Sequence, residues 1–277
     1  MPTHQISPPS SHPAHAMTAP ILYCGDTSLE SAASYLAGLM THFGWEFDYV
    51  PSDVKVSRDL LTKPHSLLIL SDYPAAQFDF ELQQIAIEQV LQGMGLLMIG
   101  GWESFHGQGG NWNDSELQRL LPVEISRSDD RINFDQPALL HPPGWSNPLW
   151  NLPWLKRPPT VGGLNQFQVR PEGVVKLNVT PFRPRYDEDS AQLLWHESGD
   201  CFPALVTCDR GQGRSAVFAS DVAPHWVGGF VDWGSERVTA QAPGAGAIEV
   251  GSDYAQFWQR LLSWTGKREL ETDTYLD

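Results

Sequence analysis

The residues best suited to chemistry follow four apolar runs, at the points where those runs end. Asp26 follows ILYCG, Asp72 follows LLILS, Glu103 follows LLMIGGW, and Asp221 follows AVFAS. Because ligands of open parallel sheets bind beyond the carboxyl ends of the strands, we expect these carboxylates to gather at one edge. His225 comes four residues after Asp221 and supplies a base near the same edge. The sequence therefore predicts an acid–base site whose catalytic candidates are His225, Asp221 and Glu103.

Aromatic residues and glycines beside these carboxylates predict a ligand pocket. Aromatic faces can stack on a ligand while carboxylates accept hydrogen bonds from its hydroxyl groups, which suits a small, neutral, polar metabolite such as a sugar. Two consecutive glycines allow a close backbone approach at the turn. Core packing is the competing interpretation for at least one of Trp102, Trp226 and Trp233. The predicted ligand-binding residues are Asp72, Tyr73, Gly100, Gly101, Trp102, His106 and Trp226.

Cys24 is the one thiol at a predicted strand end that faces the expected pocket, so it is a candidate for a displaced nucleophile with His225 as its base. The alternative is a small buried hydrophobe, as most free cysteines are. No tight metal-ligand spacing is present, because glycines follow His106 and Pro224 interrupts the run between Asp221 and His225. No GxGxxG motif follows the first strand. The sequence therefore predicts neither a metal site nor a cofactor.

The elements that must position these residues alternate between strands and amphipathic helices. Apolar runs predict strands at residues 21–24, 46–50, 66–70 and 96–99, and helical spacing predicts helices after the first and third of them. Thr27 and Glu30 have the spacing of a capping box, with Thr27 as the N-cap. This order predicts an α/β fold, with a flavodoxin-like, doubly wound and mostly parallel sheet.

Two later segments interrupt or extend that pattern. Residues 133–160 are rich in proline and tryptophan, which predicts a long extended excursion rather than a helix. Its tryptophans either pin it to the body of the protein or cover a second subunit in a homo-oligomer. Residues 202–208 and 214–220 flank DRGQG and predict a late β-hairpin. A closing helix follows, from about Tyr254 to Trp264.

The ends of the chain differ in composition from the rest, so a single domain is expected over residues 20–265. Residues 1–19 are rich in Pro, Ser and His and are predicted to be a disordered tail, unless Met17 is the true start. The start has no basic region and no apolar signal core. Residues 266–277 form a charged tail.

Composition excludes several classes of partner. The formal net charge of −15 argues against nucleic acid and anionic membranes, because both would repel the chain. No apolar run approaches the roughly 20 residues that a membrane-spanning helix needs. Three cysteines form neither a metal pattern nor a disulfide framework, which fits a reducing compartment. A cytoplasmic location is therefore expected.

Several stretches together resemble the glutamine amidotransferase-like proteins of the class I glutamine amidotransferase superfamily, whose wider circle includes the ThuA-like proteins. They are LLILSDYP, GLLMIGGWESFHG, PPTVGGLN, GQGRSAVFASDVAPHWVGGFVDW and YAQFWQRLLSW, in this order over about residues 20–265. The resemblance implies a Cys at a strand-to-helix elbow near residues 100–102, with a His and a Glu after a late strand. Here no Cys or Ser occupies residues 100–102, and Val227 stands two residues beyond His225. Glutaminase activity is therefore not expected.

Two functions from different classes remain open. The first is a binding or assembly protein of this fold, whose rim pocket holds a small polar metabolite. The second is a hydrolase-type enzyme in which His225 works with Asp221 or Glu103 as acid and base.

Overall fold

The computed structural model describes residues 19–145 and 149–268 of the chain. Most predicted tail residues, 1–18 and 269–277, lie outside these ranges, so the structure does not address the tail predictions. The helices are α1 (Ala33–His42), α2 (Arg58–Leu61), α3 (Phe80–Gln92), α4 (Pro224–Val227) and α5 (Ser252–Thr265). Among the described residues, no helix is long and apolar enough to cross a membrane.

Fourteen strands were found in the described ranges. The first seven are β1 (Ile21–Gly25), β2 (Phe47–Val50), β3 (Leu67–Ser71), β4 (Gly95–Ile99), β5 (Val123–Ile125), β6 (Arg131–His141) and β7 (Thr160–Asn165). The others are β8 (Phe167–Val169), β9 (Val174–Asp187), β10 (Gln192–Glu197), β11 (Phe202–Arg210), β12 (Gly213–Phe218), β13 (Arg237–Ala240) and β14 (Ile248–Gly251).

Ten of these strands form one central sheet with the order β2-β1-β3-β4-β12-β11-β9-β6-β7, and β10 pairs with β9. The neighbours from β2 to β12 are parallel, and the pairs from β12 to β7 are antiparallel. Every residue of β1, β3 and β4 is buried, as expected for strands covered on both faces. The α/β class and the parallel centre of the sheet are confirmed, whereas the antiparallel strands beyond β11 were not predicted.

The helices next to the parallel strands follow their apolar spacing, but one predicted cap is wrong. Helix α1 begins at Ala33 after Ala32, which makes no side-chain cap. Thr27 has φ of 63° and donates its backbone N–H to Ser52 Oγ at 2.8 Å, so it lies in a turn. Helix α5 contacts α1 and the strands β4 and β12. Its fully buried Phe257, Trp258 and Leu261 follow the spacing of one helical face.

The Pro/Trp-rich excursion is shorter than predicted. Residues 131–141 belong to β6, which pairs with β7 and with β9, so the irregular stretch starts only at Pro142. Pro137 lies within the register shift between Asn133 and Ala138, a position where a sheet tolerates proline. The predicted late hairpin is confirmed as β11 and β12, which pair antiparallel from Leu205 to Arg210.

The tryptophans of the excursion pack on the chain's own body. Trp154 is fully buried, lies 4.4 Å from the Trp233 ring centroid, and donates its indole N–H to Leu149 O at 2.8 Å. Trp145 stacks on His141 with 3.9 Å between ring centroids. Burial leaves the Trp154 ring unavailable to a second subunit.

Candidate functional site

Three aspartates lie together at the carboxyl edge of the parallel strands. Asp26 follows β1 and Asp221 follows shortly after β12, and both are almost fully buried, while Asp72 after β3 is half-buried. Burial is the main cause that raises the pKa of each, to about 7 for Asp72 and to about 6 for Asp221. The negative charge of Asp221 further raises the pKa of Asp26 and of Asp72. These carboxyl groups therefore hold protons near neutral pH more strongly than exposed carboxylates do.

Local hydrogen bonds fix each of these carboxyl groups. Asp26 accepts hydrogen bonds from the hydroxyls of Tyr23 and Ser71, the latter at 2.9 Å. Asp72 Oδ1 accepts from the backbone N–H of Glu103 at 2.8 Å, which ties the β3 loop to the β4 loop. Asp221 Oδ1 accepts from Val222 N at 2.6 Å, so it also caps its own turn.

The pKa of Asp72 predicts how stability depends on pH. The folded-state pKa of about 7 lies above the ordinary value near 3.9, so the native state binds more protons between these values. Stability should therefore be largest below pH 4 for this group, and the contribution is lost as the pH rises towards 7. The free energy of unfolding, measured with urea, should fall between pH 5 and pH 8 in the parent. In Asp72→Asn this fall should be smaller by on the order of 2 kcal/mol. Asp114→Asn removes an exposed carboxylate and should show the same dependence of unfolding free energy on pH as the parent. The same dependence in all three proteins would contradict the prediction.

The turn after β4 has no space for a side chain at Gly100 or Gly101. A Cβ added at Gly101 would lie 2.1 Å from Asp72 Oδ1, and one added at Gly100 would lie 2.0 Å from the carbonyl oxygen of Ala219. Gly101 has φ of 154°, within the region that favours glycine. The predicted close backbone approach is thus present, and it is made to a carboxyl group of the protein itself.

Asn165, at the end of β7, holds this turn and was not predicted. Its Oδ1 accepts from Gly101 N at 2.9 Å, and its Nδ2 donates to Gly101 O at 3.1 Å and to Asp130 Oδ1 at 2.8 Å. Asp130 also accepts from the backbone N–H groups of His106 and Gly107, both at 3.0 Å. Asn165 and Asp130 together fasten the loop from Gly101 to Gly107 to the sheet.

Trp102 and His225 form the exposed part of the site. The indole N–H of Trp102 donates to His225 Nε2 at 3.0 Å, so this ring nitrogen acts as a hydrogen-bond acceptor. Trp102 remains 43% exposed, and the Arg131 guanidinium lies 4.6 Å from its ring centroid. Arg131 was not predicted as a site residue, because it comes from the antiparallel strand β6.

The three catalytic candidates do not form a hydrogen-bonded set. Among the described residues, His225 makes no hydrogen bond to Asp221 or to Glu103. Glu103 is half-buried, and burial raises its pKa. The edge thus holds an exposed histidine and a buried carboxyl cluster, without the base–orienter pair of a nucleophilic hydrolase.

Four other predicted site residues are buried or hydrogen-bonded within the protein. Tyr73 is fully buried, and its hydroxyl donates to Val54 O at 2.7 Å. Trp226 is also buried and donates to Asn133 Oδ1 at 2.7 Å, so neither ring is accessible to a ligand. Cys24 is fully buried within β1, and burial raises the pKa of its thiol, so a thiolate nucleophile is disfavoured there. His106 is half-buried, with its Nδ1 2.8 Å from Asn113 Oδ1.

The described part of the structure contains no metal-type cluster, and several cavities lie at its surface. No group of three or more His, Cys, Asp or Glu side chains in residues 19–145 and 149–268 could hold a metal ion. A cavity of about 730 Å³ lies along β2, beside Trp45 and Tyr49. Cavities of about 480 and 300 Å³ are both lined in part by Arg127.

Solved structures show the same fold in other proteins. The cytoplasmic protein STM3548 from Salmonella typhimurium is 23% identical, with a TM-score of 0.63 over 89% of this chain and 98% of that one. The cytoplasmic protein STM1381 from Salmonella typhimurium LT2 is 21% identical, with a TM-score of 0.64 over 88% and 98%. A ThuA-like protein from Parabacteroides merdae is 12% identical, with a TM-score of 0.55 over 94% of both chains.

Sequence comparison gives the family. No curated protein sequence matches the chain. Residues 52–240 match the family described as "Putative glutamine amidotransferase", and this range contains β3, β4, β12 and the loops that carry Asp72, Trp102 and Asp221. Because the match covers more than half of the 277 residues, the chain belongs to the glutamine amidotransferase-like family.

Proposed function

We propose that this protein is a member of its family without glutaminase activity, and that it binds a small, neutral, polar metabolite beside Trp102. The observation that carries the proposal is the β4 turn, where a family nucleophile would be expected. A side chain at Gly101 would overlap the carboxyl group of Asp72, with only 2.1 Å between Cβ and Oδ1. A thiol cannot therefore be placed there without rebuilding the turn.

The exposed residues around this turn support the ligand class. Trp102 offers a partly exposed aromatic surface, and the Glu103 carboxylate and the His225 ring lie on the adjoining segments. Asp72, with a pKa of about 7, can donate or accept a hydrogen bond at neutral pH. Aromatic surface combined with such groups suits a ligand that carries hydroxyls and no charge.

The order of the parallel strands supports a ligand site at this edge of the sheet. The parallel strands have the order β2-β1-β3-β4-β12, which matches the flavodoxin-like order with β12 as the fifth strand. We infer a flavodoxin-like core in which the strand order reverses between β1 and β3. In such folds ligands bind outside the carboxyl ends of the strands, where Asp26, Asp72 and Asp221 lie. The two Salmonella relatives are named cytoplasmic proteins, and a cytoplasmic location is proposed here too.

A glutaminase assay tests the first half of the proposal. We expect purified protein incubated with glutamine to release no ammonia above the blank, in parallel with an active glutaminase as the positive control. Ammonia from the parent that disappears in Cys24→Ala would overturn the proposal, because it would show a displaced nucleophile at Cys24.

Ligand-induced stabilisation tests the second half. A panel of neutral monosaccharides and polyols should contain compounds that raise the Tm of the parent. Trp102→Ala should weaken their binding by up to about tenfold, since aromatic stacking contributes about 0.5–1.5 kcal/mol beyond the buried area. Trp195→Ala removes another exposed tryptophan, on β10, and should leave binding unchanged. Equal losses in both variants would refute a site at Trp102.

The alternative is a hydrolase-type enzyme, favoured by the pKa of Asp221 at about 6, which suits a general acid or base. It predicts turnover of one of the panel compounds, and loss of that turnover in His225→Ala. Because His225 is exposed, its replacement should leave the Tm nearly unchanged. Retained turnover in His225→Ala would remove this alternative.

A further inference from the structure

We propose a second binding site, for an oxyanion group such as phosphate, in the cavity lined by Arg119, Arg127 and Arg170. The cavity measures about 300 Å³ and lies beside the ribbon of β5 and β8. Arg127 comes two residues after β5, and Arg170 directly follows β8. The site is separate from the one proposed beside Trp102, and nothing in the family match assigns it.

The arginines of this cavity are short of carboxylate partners. Arg119 pairs with Glu116 at 3.2 Å. Among the described residues, neither Arg127 nor Arg170 has a carboxylate within 4.0 Å. The positive charges of Arg127 and Arg170 are therefore not neutralised by a direct ion pair within the described part of the chain.

The backbone holds Arg170 in place for an external ligand. Its Nε–H donates to Val123 O at 2.8 Å, and its backbone N–H donates to Pro122 O at 3.0 Å. These bonds fix the guanidinium, while its two terminal nitrogens make no hydrogen bond to the described part of the chain. A fixed guanidinium with free nitrogens suits the oxygens of a phosphate or a carboxylate.

The charge of the lining also favours an anion. Three arginines and two glutamates, Glu116 and Glu124, line the cavity, which leaves one excess positive charge at full ionisation. The whole chain carries a net charge of −15, so this positive cavity contrasts with the rest of the molecule. Field lines concentrate in such a cleft and raise the local concentration of small anions.

One side chain connects this cavity with the loop that carries Trp102. Asn113 lines the cavity, and its Oδ1 lies 2.8 Å from Nδ1 of His106. His106 in turn donates its backbone N–H to Asp130, which fastens the loop. An anion held in the cavity would lie one hydrogen-bonded residue away from this loop.

Calorimetric titration with inorganic phosphate, in chloride buffer at constant ionic strength, tests the proposal. We expect saturable binding by the parent and an affinity at least about tenfold lower in Arg127→Ala. Arg127 is exposed and has no ion pair, so this variant should fold normally. Arg185→Ala removes an exposed arginine from β9, also without an ion pair, and should bind phosphate within about twofold of the parent.

Citrate in place of phosphate distinguishes the two sources of oxyanion. Tighter binding of phosphate would point to a phosphorylated metabolite, and tighter binding of citrate to a polycarboxylate; both support the site if they depend on Arg127. The proposal is overturned if neither anion gives saturable heat up to about 10 mM, well above ordinary metabolite affinities. It is also overturned if Arg185→Ala weakens binding as much as Arg127→Ala, because that would show a general charge effect.

Discussion

Gly101→Ala should destabilise the protein by about 3 kcal/mol, the upper part of the range for overpacked sites. The added Cβ would lie 2.1 Å from Asp72 Oδ1, and the carboxyl group cannot retreat freely because Glu103 N–H binds the same oxygen at 2.8 Å. The φ of 154° adds backbone strain for any residue other than glycine.

Urea unfolding followed by tryptophan fluorescence measures this effect. Gly246→Ala is the matched control, because a Cβ at that position meets no atom within 4 Å. We expect the control to stay within about 0.5 kcal/mol of the parent. Equal stability of Gly101→Ala and Gly246→Ala would show that the turn rearranges easily, and would contradict the argument that this turn has no space for a side chain.

Asn165→Leu should cost about 3 to 5 kcal/mol, because it leaves several buried polar groups without partners. Asn165 is fully buried and bonds Gly101 N, Gly101 O and Asp130 Oδ1. Leucine has a similar volume, so the loss reports the missing hydrogen bonds more than a cavity.

Thermal and urea unfolding of Asn165→Leu should be compared with Asn178→Leu. Asn178 lies half-buried on β9, and its side chain makes no hydrogen bond within the described ranges, so its replacement should cost less than about 1 kcal/mol. A double-mutant cycle of Asn165 and Asp130 should give a coupling energy of about 1 kcal/mol or more. Additive effects would mean that the two side chains hold the loop independently.

The parallel half of the sheet could be predicted from the sequence, because its strands are continuous apolar runs with helical spacing between them. Ile21 to Cys24 and Leu96 to Ile99 are of this kind, and both are strands. The antiparallel strands β6 and β9 carry prolines and half-exposed faces, so no strong periodicity marked them. Their register depends on pairing with each other across 40 or so residues, which local spacing does not encode.

The carboxylates of the candidate site were also predictable, since each follows a buried strand. Asp26, Asp72, Glu103 and Asp221 all lie at the edge where the sequence places them. The directions of the side chains were not predictable: Tyr73 and Trp226 follow the same strands and point into the protein. The role of Asn165 in holding the β4 turn could not be predicted, because Asn165 reaches the site from β7, a strand outside the parallel core.

The position of β12 between β4 and β11 has a consequence for synthesis of the chain. Strand β4 ends at residue 99, and its partner β12 begins only at residue 213. At translation rates of about 5–20 residues per second, the apolar edge of β4 stays open for roughly 6 to 23 s after it leaves the ribosome. Open apolar edges invite pairing with other chains. Extra holdase chaperones should therefore improve the soluble yield of this protein more than changes to its surface.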